Sequence, residues 1–182
     1  MKYIAEHRQL VGTSIIAVIG AAVLVGLFVY NQPRTPKVIF QPTRACTLLS
    51  PAKAMDTLGN QVNQIAKDTP VRNGSVATSQ CAYTDGNPDS SQMVEISIAV
   101  QSALNDIGVA ENKSSYNADK KKDASVSQDV RRLGESAYFN ANTGLLRILD
   151  GKRIILLNYK VGDNTTSKPL ADVVALAHSI LK

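Results

Sequence analysis

Histidine and cysteine are scarce in this chain, and their scarcity removes whole classes of chemistry. The 182 residues include two histidines and two cysteines. A nucleophilic triad needs a base beside its nucleophile, usually histidine. His7 and His178 stand at opposite ends of the sequence, and His178 falls on the flank of an apolar stripe, where a surface histidine is the ordinary reading. One such histidine and two cysteines cannot assemble the soft ligand set that zinc prefers. A glycine-rich phosphate loop is missing as well, because "LGESAYF" holds one glycine and leads into a strand. Nor is there a large excess of either charge. Residues 44–182 carry 16 Lys+Arg against 14 Asp+Glu, so most of the net +5 lies in the N-terminal flank. That balance gives no electrostatic footprint for nucleic acid.

Several near misses are settled in the same way. "DGNPDSSQMVEI" places Asp85, Asn87 and Asp89 at the alternating positions that open a calcium loop. Its sixth position is Ser90 instead of glycine and its twelfth is Ile96, with Glu95 one place early, so a polar hairpin turn is the better reading. Glycoside hydrolysis needs two opposed carboxylates, and nothing singles out a pair among the fourteen acids, which leaves an envelope hydrolase a remote alternative. The run "DKKKD", residues 119–123, could meet an anionic lipid or polymer, but a solvated loop or helix face is the better reading. Asn73, Asn112 and Asn164 head N-glycosylation tripeptides, which matter only on a eukaryotic secretory route. No catalytic residue, metal or cofactor is expected, and ligand-binding residues are not legible.

What the sequence does have is a long apolar run. Leu10 to Tyr30 is 21 residues without a charge. At ~1.5 Å per residue it spans roughly 31 Å as a helix, about the thickness of bilayer hydrocarbon. A signal-peptide core is shorter, ~7–15 residues, and ends at a small-x-small site, which "NQPRTPK" does not supply. The expected order is therefore a short cytoplasmic tail (1–9), a transmembrane anchor (10–30), a proline-containing stalk (31–43) and an extracytoplasmic domain (44–182). Ala22-x-x-x-Gly26 would let two anchors pack as a weak homodimer, although small residues are also simply tolerated in lipid-facing helices.

Flanking charge hardly decides the orientation, with Lys2 and Arg8 set against Arg34, Lys37 and Arg44. The cysteines favour a C-terminal domain outside the cell membrane. Cys46 and Cys81 are an even pair in a membrane-tethered chain, which fits an oxidising compartment. A bridge between them would close a loop of about 35 residues and stabilise by roughly 3–4 kcal/mol, with two buried free thiols as the alternative. Lipidation of Cys46 fits poorly, since Arg44 precedes it and the apolar run ends far upstream.

Periodicity in the domain alternates between helix and strand. Ser50-Pro51 is a helix start, and Met55, Leu58, Val62 and Ile65 recur on one face, predicting a helix over 51–67 that Gly59 weakens or splits. Asn73-Gly74 marks a turn ahead of a strand with Cys81 and Tyr83. "MVEISIAV" alternates as a half-buried strand. Residues 101–132 are polar and predict only one or two short helices with mobile loops. "LLRIL" and "RIILLNY" flank Asp150-Gly151 as a hairpin, "AYF" precedes them as a strand, and "KVIF" is a candidate edge strand. Leu170, Val173, Val174, Ala177, Ile180 and Leu181 stripe a terminal helix. The fold class expected is α+β, an antiparallel sheet packed with helices on one face, the C-terminal helix among them.

Cys46, Leu48 and Leu49 at a helix start, Cys81 and Tyr83 in a strand, and Leu133, Gly134, Glu135, Ala137 and Tyr138 before the hairpin carry a resemblance over about 110 residues. The pattern resembles a family of secreted actinobacterial lipoproteins of unknown function. The resemblance implies a disulfide, an exported location and an α+β domain, and it implies no activity. The chain departs from that pattern by using a membrane helix in place of a lipidated cysteine. The function expected is a non-enzymatic, single-pass binding domain at the cell envelope whose partner is a protein, polymer or lipid. A small-ligand or lipid carrier is the alternative, and it predicts an apolar cavity beneath the terminal helix and the 51–67 helix.

Overall fold

The alternating stretch from Val94 to Ala103 forms a central strand of the sheet, and its register sets which side chains face which way. The computed structural model describes residues 37, 39–59, 61–66, 68–162 and 166–181. The expected membrane span, the cytoplasmic tail and Asn164 lie outside these residues. Among the described residues no helix is long and apolar enough to cross a membrane.

The described residues form nine strands and four helices in chain order: α1 (Ala45–Leu48), α2 (Pro51–Leu58), β1 (Asn63–Gln64), β2 (Val71–Asn73), β3 (Val76–Thr84), β4 (Val94–Ala103), α3 (Asp106–Lys122), β5 (Ser127–Val130), β6 (Ser136–Asn140), β7 (Leu145–Asp150), β8 (Arg153–Val161), β9 (Thr166–Ser167) and α4 (Leu170–Leu181). The sheet order is β1-β3-β4-β8-β7-β6-β5, with β2 on the outer edge of β3 and β9 beside the end of β8. Every pairing is antiparallel. The fold is thus α+β with an antiparallel sheet, as the alternating periods predict. The hairpin of β7 and β8 turns on Gly151-Lys152, between the paired Asp150 and Arg153. Gly151 has φ 58°, a left-handed conformation that costs glycine nothing.

Register sorts the strand residues into two faces. Cys81, Ile98, Leu157 and Leu146 lie side by side on one face, with Tyr83, Ile96, Val100, Ile148 and Ile155 around them. Ala45, Leu49, Ala54, Val173, Leu176, Ala177 and Ile180 pack on this face from α1, α2 and α4 and form the main core. A second, smaller core joins Tyr116 of α3 to Tyr138, Leu149 and Ile154. Those strand residues alternate with main-core neighbours, so α3 lies on the opposite face. The expectation of helices on one face is therefore corrected. Three helices cover one face, and the fourth covers part of the other.

Two further expectations change. The 51–67 helix ends at Leu58, where Gly59 takes φ 104° and its N–H caps the Met55 carbonyl at 2.8 Å. Beyond it β1 pairs with the end of β3, and Met55 and Ile65 are exposed, so the proposed shared apolar face is not formed. Residues 101–132 supply the rest of β4, then one 17-residue helix, α3, and the short strand β5. Ile39 and Phe40 donate backbone N–H bonds to the Leu104 carbonyl, and Thr43 donates one to Ser102 Oγ, so this stretch is held against the domain without forming a strand.

Candidate functional site

Cys46 and Cys81 are bonded, with Cα atoms 5.2 Å apart, which ties α1 to the middle of β3. Polar contacts reinforce the tie. Ser79 Oγ accepts from the Ala45 N–H at 2.8 Å and donates to Asp68, whose other oxygen lies 3.9 Å from Arg44. Tyr83, on the same face, is buried, and its hydroxyl has no hydrogen-bond partner among the described residues. Burial raises its pKa, and the nearby Asp68 carboxylate adds to the shift.

Under α3 the packing is unusually polar. The helix turns inward Gly108, Asn112 and Tyr116, spaced four apart. Asn112 accepts from Gln101 Nε2 at 2.8 Å and donates to the carbonyls of Lys152 at 2.9 Å and Gln101 at 3.3 Å. Tyr116 shares a hydrogen bond with Ser136, and its ring meets Tyr138 edge-on at 5.5 Å. Tyr138 donates to Asp123, and Arg147 pairs with Asp119 at 2.6 Å. Burial raises the pKa of Tyr138, Asp123 and Asp119 raise it further, and Arg147 opposes them. Burial likewise raises the pKa of Tyr116. This cluster holds the helix to the sheet, and two members of the "DKKKD" run, Asp119 and Asp123, belong to it.

The remaining positions singled out in the sequence are structural or peripheral. Asp85 Oδ1 accepts from the N–H groups of Asn87 and Val94, Asn87 from that of Asp89, and Asp89 from Ser91. These side chains close a turn on their own backbone, and the hydrogen bonds from Ser91 hold the Asp89 carboxyl below its usual pKa. Among the described residues no group of three or more His, Cys, Asp or Glu side chains could hold a metal. His178 is exposed on α4. Asn112, one of the glycosylation matches, is fully buried.

The part of the sheet that α3 leaves open forms the candidate site. A cavity of about 270 Å³ lies there, lined by Gln80 and Ala82 of β3, Ser97 and Ala99 of β4, Leu156 and Asn158 of β8, and Leu145 of β7. Register explains the grouping. Ala82 pairs with Ser97 and Ser97 with Asn158, so the floor is one row of neighbouring positions on the face opposite the main core. Small side chains from two adjacent strands produce the depression. Among the described residues no charged side chain lines it. Asn158 Oδ1 is buried there and has no hydrogen-bond partner among the described residues. A buried acceptor without a donor costs free energy, which a bound donor would recover.

Sequence reading missed this site because it treated the outward positions of each strand as merely solvated. The signal was there in the small residues: Ala82, Ser97 and Ala99 occupy the positions between the core-facing ones. Beneath α2 and α4, Ala54, Val173 and Ala177 are tightly buried in the main core, and the depression is on the other face. Comparison with protein-family models, with curated proteins and with solved structures finds no match to the chain.

Proposed function

We propose that the chain is a single-pass, membrane-anchored binding domain displayed outside the cytoplasm, which recognises an envelope partner and performs no chemistry on it. The apolar run at 10–30 supports the anchor, and the Cys46–Cys81 bridge supports an oxidising location, as does the resemblance to secreted lipoproteins. One observation carries the binding reading: the open sheet face holds a depression lined by no charged side chain among the described residues, with an acceptor, Asn158 Oδ1, that none of them satisfies. Such a lining favours an uncharged group that donates an N–H or O–H, set against a small apolar floor.

The test titrates isotope-labelled full-length chain in lipid nanodiscs with the separated protein, polymer and lipid fractions of the cell envelope. Amide shifts should move at residues 80–82, 97–99 and 156–158 with one fraction and be lost in Asn158→Leu. Shifts confined to other surfaces would remove the site. Shifts absent with every fraction would remove the binding function.

A further inference from the structure

One end of the domain gathers exposed apolar and cationic side chains at the place where the chain leaves for its apolar run. Several bonds define that end. The Asn105 side chain donates to the Lys37 carbonyl and accepts from the Gly108 N–H, so the stalk residue and the start of α3 meet at the end of β4. Leu104 donates to the Ser75 carbonyl, and Ala103 to that of Lys152. The β2–β3 turn and the β7–β8 turn therefore flank the same point. A Cβ at Gly108 would collide with the Ser75 carbonyl oxygen, which shows how closely these pieces are packed.

Exposed large apolar side chains concentrate here. Among the described residues there are five, and Ile39 (61% exposed), Val71 (68%) and Ile107 (59%) sit at or beside this end. Ile65 (57%) stands at the far end of the sheet, next to the Tyr83–Thr84 end of β3. Lys37 and Lys152 are exposed at the near end, and Asp150 there is already paired with Arg153. Asp106 is the acid facing the same region from α3. Residues 31–36 join Tyr30 to Lys37, and even fully extended they reach no more than about 25 Å.

We propose that this end is a membrane-contact surface, with Ile39, Val71 and Ile107 entering the lipid interface while Lys37 and Lys152 meet anionic headgroups. The inference rests on the anchor in the proposed function and is independent of the open sheet face. Apolar side chains beside cations are what the interface takes up, and each lysine near an anionic surface favours contact by about fivefold. A short tether turns such weak contacts into intramolecular ones, so modest local affinity is enough.

The chain contains no tryptophan, so one introduced residue reports alone. Full-length Ile107→Trp, Val71→Trp and Ile65→Trp are reconstituted in vesicles of phosphatidylcholine with phosphatidylglycerol, with bromines on the upper acyl chains, and near-UV circular dichroism checks folding. Flotation after alkaline carbonate tests the anchor separately. The contact surface predicts blue-shifted, quenched emission from Ile107→Trp and Val71→Trp, weaker quenching without phosphatidylglycerol, and unquenched emission from Ile65→Trp. Chain that floats with no reporter quenched, or with all three quenched alike, overturns the contact surface and leaves the anchor standing. Chain that fails to float overturns both.

Discussion

Replacing Asn112 by aspartate changes one atom and tests whether α3 is fastened to the sheet as described. Asn112 is fully buried, and its Nδ2 donates to two carbonyl oxygens, at 2.9 and 3.3 Å. In Asn112→Asp both donors become an acceptor facing acceptors. Two lost hydrogen bonds cost about 1 kcal/mol each, and an unpaired buried carboxylate adds enough to bring the total to about 4 kcal/mol at pH 7.5. The carboxyl escapes part of this by holding its proton, so its folded pKa rises above the unfolded value of about 4. As pH climbs past that value the unfolded chain releases its proton first. Stability relative to wild type then falls by up to about 1.4 kcal/mol per pH unit until the folded pKa is passed. Urea titrations of wild type and variant, read by near-UV tyrosine dichroism, should give a deficit of about 4 kcal/mol at pH 7.5 that shrinks to about 1–2 kcal/mol at pH 4. A deficit below about 1 kcal/mol at both pH values, or one that does not change with pH, would refute the buried placement of Asn112.

Two other outcomes follow from the core. Reducing the Cys46–Cys81 bridge, which spans 35 residues, should cost about 4 kcal/mol on the loop-entropy account, seen as a lowered urea midpoint with reductant; an unchanged midpoint rejects the bridge as a structural staple. Tyr83, Tyr116 and Tyr138 all have pKa values raised by burial, so their contribution is fully present below the unfolded value of about 10. Above it the unfolded chain loses those protons first, and thermal midpoints should begin to drop there; midpoints that hold level to pH 11 would contradict the burial of these hydroxyls.

The strands were legible because their pattern is simple. Val94, Ile96, Ile98 and Val100 alternate with smaller or polar residues, and the Asn73-Gly74 and Asp150-Gly151 signals fall at or beside real turns. The terminal helix was equally plain, since Val173, Ala177 and Ile180 mark its buried face. Helix α3 was obscure for a physical reason. Its inward face is Gly108, Asn112 and Tyr116, bound by hydrogen bonds more than by apolar area, so no hydropathy period reveals it. The open face was obscure because Ala82, Ser97 and Ala99 acquire meaning only when register sets them beside one another. In the 51–67 segment, Met55 and Ile65 kept a helical spacing by coincidence, and Gly59 decided the matter.

The margins of the sheet bear on how copies of this domain behave when crowded. Along the outer side of β3, residues 76–78 are taken by β2 and residues 83–84 by β1, and the Ile65 N–H occupies the Ala82 carbonyl between them. The opposite margin, β5, is four residues long and carries Asp129 in an ion pair with Lys120. Free backbone on either side is thus too short to recruit another chain's strand. However often such domains meet, the described strands offer no template on which they would polymerise.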